Sequence, residues 1–302
     1  MADMKIGIIG LGSMGFRIAQ NILNNDYDLT GYDLNPKAVE DLSVIGMHPA
    51  DSIQTLAAGV DVLLLMVVNE EQVLDVLFSD NGAFPFLKKD AIVVLSSTVS
   101  PSFATNLGKR LLENDIYLID CPVSGGVSGA EAGTLSLMVS GNNQKIKAIT
   151  PFLNSFSEYI FNMGEEPGKG SMMKAINQLL CGVHLSVACE AMSMGAYAGL
   201  DPETLYEVIC NSGGASFVFE THMKNVIEDN YAPKSAVDVF VKDLGIVLDI
   251  SREMKFPMHT AAAAHQLLLT TSGIGYGKYD DSAIVKTFEK LYDFEIMGNK
   301  KE

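Results

Sequence analysis

The sequence predicts an α/β chain in which a doubly wound parallel sheet is followed by an all-helical region. Three observations carry this reading. Short apolar runs alternate with helix-length amphipathic stretches through the first half, no strand pattern occurs beyond about Gly168, and a glycine-rich turn lies between the first apolar run and the first helical pattern. Near-continuous apolar strands separated by helical segments point to a parallel sheet covered on both faces, because each parallel crossover needs a long connection.

Taken in order, Lys5–Ile9, Tyr27–Tyr32, Asp61–Val68, Ala91–Leu95 and Ile116–Ile119 read as the parallel strands. The stretch Thr134–Ser140 differs. Its Leu135, Leu137 and Val139 alternate with Thr134, Ser136 and Ser140, the period of a strand with one polar face, so it is expected to extend the sheet. Glu165-Glu166-Pro167-Gly168 is the predicted boundary, dividing the chain into residues 1–166 and 167–302. The proline-free stretch Ser171–Ala198 is predicted to be one long helix, and further helices are punctuated at Gly199-Leu200-Asp201-Pro202, Asn211-Ser212-Gly213-Gly214, Ala232-Pro233 and Phe256-Pro257. Residues Gly298–Glu302 are expected to fray.

A length of 302 residues fits two domains. The 21 basic and 37 acidic residues leave a net charge of -16, which repels nucleic-acid phosphates and anionic lipid, so neither is an expected partner. The longest uncharged apolar run of the first half, Val62–Val68, is far shorter than the ~20 residues of a membrane span. Cys121, Cys181, Cys189 and Cys210 form no C-x-x-C pair and no zinc spacing with histidine, so neither a metal site nor a disulfide framework is expected. The opening Met1–Ile6 enters a strand at once and lacks the pattern of a signal peptide, so a cytoplasmic setting is expected.

Gly10-Leu11-Gly12-Ser13-Met14-Gly15 follows one apolar run and opens a helical pattern, the context that a Rossmann-type dinucleotide fingerprint requires. Gly10 would permit the tight turn, Gly12 the approach of the pyrophosphate, and Gly15 close packing of helix on strand. Asp33 ends the second apolar run. A carboxylate there accepts from the adenosine ribose hydroxyls and repels a ribose phosphate, which favours NAD over NADP. Asp33 has a second reading as the cap of a helix beginning near Pro36. Thr98, after the fourth strand, lies where strand carboxyl ends meet a cofactor, or caps the helix starting near Pro101.

The run Asp120-Cys121-Pro122-Val123-Ser124-Gly125-Gly126-Val127-Ser128-Gly129 resembles the substrate-binding motif of the β-hydroxyacid dehydrogenase family. Ser124, Gly125 and Gly126 offer a hydroxyl and unhindered amides that can hold a carboxylate without a formal cation. Gly168-Lys169-Gly170-Ser171-Met172-Met173-Lys174-Ala175-Ile176-Asn177 resembles the family's catalytic motif, in which the lysine is the general acid and base. Lys174 and Asn177 are three residues apart, on one helix face. Burial and a neighbouring positive nicotinamide both favour a neutral lysine amine.

The resemblance implies further assignments. Asp238–Asp249 resembles the segment whose lysine approaches the nicotinamide, which makes Lys242 a cofactor residue, although an ordinary helix pair between Asp238 and Lys242 is the alternative. Val67 and Val68 join the cofactor set. The resemblance also implies homodimers or homotetramers and NAD-dependent oxidation of a small anionic hydroxycarboxylate. Met66–Gln72 and Tyr231–Leu244 look most like the branch acting on L-threonate; 3-hydroxyisobutyrate or semialdehyde chemistry and a non-catalytic NAD-binding regulator are the alternatives. Asn211, Ser212 and Ser216 are candidate partners for a polyhydroxylated acid, or form a plain interhelical turn. His184, ten residues past Lys174 and so roughly 15 Å along the helix, cannot share its site, and His48, His222, His259 and His265 read as structural.

Overall fold

The computed structural model describes residues 4–297, so the predicted fraying of Gly298–Glu302 lies outside the described residues. The chain divides into two compact units, Met1–Lys174 and Ala175–Glu302.

The first unit is built on one sheet. Strands β1 (Ile6–Ile9), β2 (Leu29–Tyr32), β3 (His48–Pro49), β4 (Val62–Leu65), β5 (Ile92–Leu95) and β6 (Tyr117–Asp120) run parallel in the order β3-β2-β1-β4-β5-β6. Beyond β6, the short β7 (Val123–Ser124) and the longer β8 (Leu135–Ser140) and β9 (Ser157–Gly164) extend it. Strand β8 is antiparallel to β6 and β7 and parallel to β9. Helices α1 (Ser13–Asn24), α2 (Pro36–Ser43), α3 (Ile53–Gly59), α4 (Glu70–Phe78), α5 (Pro101–Leu112), α6 (Gly126–Ala132) and α7 (Asn143–Leu153) connect the strands.

The uninterrupted apolar strands follow from two cores. Val62, Leu64, Ile92 and Val94 face one cluster with Ile18, Ile22 and Phe152, whereas Leu63, Leu65, Val93 and Leu95 face another with Leu56, Val73 and Leu107. A strand buried on both faces has no polar alternate. The helices begin where a side chain accepts an otherwise orphaned N–H: Asn35, Ser52, Asn69, Ser100 and Asn142 cap α2, α3, α4, α5 and α7. Strand β8 departs from its expected polar face at Ser140, which is fully buried. Its hydroxyl donates to Asp120 and accepts from the Gly170 amide, so burial leaves no bond unmade.

Helix α8 (Lys169–Tyr197) starts in the first unit and continues into the second. Its length and hydropathy would suffice to cross a membrane, a feature outside the first-half apolar runs. Along it Ser171, Lys174, Gln178, Ser186 and Ser193 are buried, whereas Ile176, Leu180, Val187 and Met194 are exposed. The second unit adds α9 (Pro202–Cys210), α10 (Phe217–Ile227), α11 (Val237–Met254), α12 (His259–Thr271) and α13 (Val285–Tyr292); among its described residues the strand pairing is one isolated bridge, Ala236 to Asp280. A buried polar knot ties these helices. Asp280 accepts from Asn225 and Ser282, Lys234 donates to Asn225, and His222 Nε2 lies 3.5 Å from Asp281.

Candidate active site

The register of the sheet aligns Tyr32, Ile9, Leu65, Leu95 and Asp120 in one row across β2, β1, β4, β5 and β6. The glycine turn follows Ile9, Asp33 follows Tyr32, Val67 and Val68 follow Leu65, and Thr98 follows Leu95. These residues therefore leave the sheet at a single carboxyl edge. The strand order reverses between β1 and β4, which opens a crevice at that edge.

The three glycines of the turn meet three different constraints. Gly10 has φ +98°, and a Cβ there would lie 2.4 Å from the Met66 carbonyl oxygen. A Cβ on Gly15 would lie 1.9 Å from the Gly10 carbonyl oxygen, so only glycine lets α1 approach β1 this closely. At Gly12 a Cβ would meet nothing within 4 Å. That open space sits before Ser13 and Met14, the first residues of α1, where backbone amides are unpaired within the helix. Buried Leu11 anchors the turn. The site fits a dinucleotide pyrophosphate in shape and in donors.

Asp33 is not the cap of α2; Asn35 is, accepting from the Lys37 amide. Asp33 Oδ2 accepts from the Leu11 amide at 2.5 Å and Oδ1 from the Asn35 amide at 2.7 Å, so its carboxylate braces the glycine turn itself. Ser100, not Thr98, caps α5. The Val67 amide donates to Ser97 Oγ at 3.0 Å and the Val68 amide to Gln72 Oε1 at 2.8 Å, fixing the loop beside Gly10.

Ser124 ends β7 opposite Ser136. Gly125 follows with φ +130°, and Gly126 begins α6. A Cβ at Gly125 would press on Leu135 at 3.0 Å. The Ser-Gly-Gly bend thus turns sharply beside the start of β8.

Lys174 is 8% exposed. It stands one turn after Ser171, whose amide and hydroxyl both donate to the buried carboxylate of Asp120, at 2.8 and 2.7 Å. The Gly168 amide and the Ser140 hydroxyl donate to the same carboxylate at 2.8 and 3.1 Å. Burial raises the Asp120 carboxyl above its usual range, opposed by the donors from Ser171, Gly168 and Ser140. Neighbouring Cys121 is held protonated by burial and by the Asp120 charge, which suits packing rather than nucleophilic chemistry. Asp120 has no role in the sequence reading; the signal it offers is a carboxylate closing an apolar strand just before Ser-Gly-Gly.

In the second unit, Asn177 donates to Gln178 Oε1 at 3.0 Å, and Gln178 donates to Asp243 Oδ2 at 2.6 Å. Lys242 Nζ lies 2.8 Å from Asp243 Oδ1. Asn177 and Lys242 are thereby linked through two residues absent from the sequence reading, Gln178 and Asp243. Asp238, the alternative partner of Lys242, accepts from the Ser272 hydroxyl at 2.6 Å. Asn211 and Ser212 donate to carbonyls of their own helix and Ser216 caps α10, so these three form the interhelical turn. His48 pairs with Asp28, His222 with Asp281, and His265 with the Val241 carbonyl.

Two family models cover the chain. Residues 5–164 match the NAD binding domain of 6-phosphogluconate dehydrogenase. Residues 168–288 match the NAD-binding model of NADP-dependent 3-hydroxyisobutyrate dehydrogenase. An L-threonate dehydrogenase of Cupriavidus necator is 42% identical over 94% of this chain and 96% of its own. The crystal structure of 3-hydroxyisobutyrate dehydrogenase from Salmonella typhimurium superposes with a TM-score of 0.89 at 38% identity, covering 94% of this chain and 99% of that one. Psf3, solved with NADP+ and 2-OPP, superposes at 0.86 with 27% identity over 93% and 99%. On the two family models and these full-length likenesses, the chain belongs to the β-hydroxyacid dehydrogenase family, whose members are NAD(P)-dependent oxidoreductases acting on CH–OH.

Proposed function

We propose that the protein oxidises the hydroxyl of L-threonate to give its 2-oxo acid, with NAD as acceptor. The observation that carries this reading is Lys174, a buried amine near the start of α8, one turn after Ser171. The 42% identical L-threonate dehydrogenase supports the choice of acid. The Ser124 hydroxyl and the Gly125 and Gly126 amides anchor the substrate carboxylate. Lys174 Nζ in its neutral form takes the proton of the hydroxyl, and Asn177 orients the carbinol. Gly10–Gly15, Asp33, Val67, Val68, Thr98 and Lys242 hold the dinucleotide, which supplies the hydride acceptor. The Asp33 carboxylate favours NAD because it accepts from ribose hydroxyls and repels a ribose phosphate. A homodimer or homotetramer working in the cytoplasm completes the proposal.

The Salmonella typhimurium structure, titled 3-hydroxyisobutyrate dehydrogenase, supports a second reading with that acid as substrate. A panel of L-threonate, 3-hydroxyisobutyrate, glycerate and tartronate semialdehyde, each with NAD(H) and NADP(H) and read by NADH absorbance, separates the two. The highest kcat/KM is expected for L-threonate with NAD. Lys174→Ala is expected to bind NADH normally and lose at least about a hundredfold in kcat. Unchanged turnover in that variant removes Lys174 from the mechanism, and no turnover by the wild type on any acid favours a non-catalytic NAD-binding role.

A further inference from the structure

We propose that Asp120 is a positioning residue for Lys174, fixing the first turn of α8 to the end of β6 so that the amine is presented in one place. The inference rests on the reading of Lys174 as the acid and base. Four hydrogen bonds reach this one carboxylate: the Gly168 amide, the Ser171 amide, the Ser171 hydroxyl and the Ser140 hydroxyl. All four donors are protein groups, and Asp120 itself is fully buried. The Ser140 hydroxyl is in turn held by the Gly170 amide, at 2.9 Å, so three residues around the helix start, Gly168, Gly170 and Ser171, are tied to two adjacent strands. The fit leaves no slack. A Cβ on Gly170 would lie 2.3 Å from the Met138 carbonyl oxygen and 2.9 Å from that of Asp120, and one on Gly168 would lie 2.3 Å from Thr105 Oγ1.

Ser171 and Lys174 are one turn apart, about 4.5 Å along the axis, so a shift of the tethered turn is passed almost whole to the lysine backbone. Misplacing a reacting group by about 1 Å can cost a hundredfold in rate. A negative group at a helix start is also favourable to the peptide dipoles, which adds to the hold on this turn. Asp120 does not touch the substrate in this scheme; it acts through Ser171 on the lysine.

The substitutions separate holding from charge. Asparagine at position 120 can keep every bond: its oxygen accepts from Gly168, Ser171 and Ser140, and its amide donates to the Ser171 hydroxyl, which then serves as acceptor. Alanine removes all four. Asp120→Ala is expected to lower kcat about tenfold or more, while the dissociation constant for NADH, read by fluorescence, stays within about twofold of wild type. Asp120→Asn is expected to restore kcat to within about threefold and to leave the pH profile of kcat unmoved. The double variant Asp120→Ala with Lys174→Ala is expected to be no slower than Lys174→Ala alone, because a residue acting through the lysine has nothing left to position. A folded Asp120→Ala with wild-type kcat, an Asp120→Asn as slow as the alanine variant, or multiplicative losses in the double variant would each overturn the proposal. If Asp120→Ala does not fold, Ser171→Ala decides: kcat reduced by about threefold or more with NADH binding intact supports it, and unchanged kcat overturns it. Turnover retained in Lys174→Ala refutes the acid and base reading itself, an outcome distinct from all of these.

Discussion

The glycine turn makes its strongest prediction through a contrast between two positions three residues apart. A methyl at Gly15 would sit 1.9 Å from the Gly10 carbonyl oxygen, about 1.6 Å short of an ordinary ~3.5 Å contact. Backbone cannot rotate away as a side chain does, so α1 must move off β1. Overpacking of this kind costs about 1–3 kcal/mol, and at about 2–4 °C per kcal/mol the melting temperature should fall by about 2–12 °C. At Gly12, by contrast, a methyl meets no protein atom within 4 Å, and its φ of -68° is open to alanine. The loss of stability there is limited to a weaker helix cap, about 0.5 kcal/mol. Yet the same methyl fills the space in front of α1 where the proposed site receives the pyrophosphate. Gly12→Ala is therefore expected to melt within about 2 °C of wild type and to bind NADH at least tenfold more weakly, equivalent to about 1.4 kcal/mol. Calorimetry for melting and NADH fluorescence titration for binding measure both quantities on the same samples. If Gly12→Ala binds NADH as the wild type does, or melts as low as Gly15→Ala, the division of labour inferred for these glycines is wrong.

Asp33→Asn keeps an acceptor for the Leu11 amide but deletes the charge, so NAD affinity should fall while NADP affinity holds or rises, moving the NADP to NAD ratio of kcat/KM upward about tenfold or more; an unmoved ratio would show the carboxylate to be a brace alone. The His222 and Asp281 pair predicts a pH dependence in the helical unit. Burial alone would lower the His222 pKa, but the hydrogen bond and charge of Asp281 raise it above the ordinary value. A raised histidine stabilises the fold fully below its unfolded pKa of about 6.5, and the contribution is lost as pH rises through the folded value. His222→Gln should cost about 1.5–3 kcal/mol below about pH 6 and progressively less as pH rises through the raised folded pKa, as followed by urea denaturation. A pH-independent loss would assign His222 to packing only.

The parts of the fold legible in sequence are those where one residue type does one physical task. Apolar runs such as Val62–Leu65 read as strands because both sheet faces bury them, and Gly10, Gly12 and Gly15 read as a cofactor turn because Gly10 and Gly15 remove clashes while Gly12 leaves open space before α1. The caps were harder to place: both Asp33 and Asn35 precede α2, and only the geometry assigns Asn35 to the helix and Asp33 to the turn. The two-residue β3 and β7 are too short for any periodicity to register, and β9 exposes Glu158, Tyr159, Phe161 and Asn162, a pattern without the period of two. The tie between Asp120 and Ser171 spans 51 residues, and that between Gln178 and Asp243 spans 65, so no local pattern could announce either. For Lys242 the local i, i+4 candidate is Asp238, whereas the structure pairs it with the adjacent Asp243, and Asp238 accepts from Ser272.

The way α8 starts also decides where a chimera of two such enzymes can be spliced. The proline-marked linker invites a crossover near residue 166, but a foreign Gly168–Ser171 turn joined there would have to satisfy a native Asp120 and Ser140 to which it was never matched. A graft that carries the native helix through Lys174 keeps that turn with its own sheet. Exchange of the helical half, whether by an engineer or by recombination, is best tolerated when the seam falls inside the helix, at the division between the two compact units.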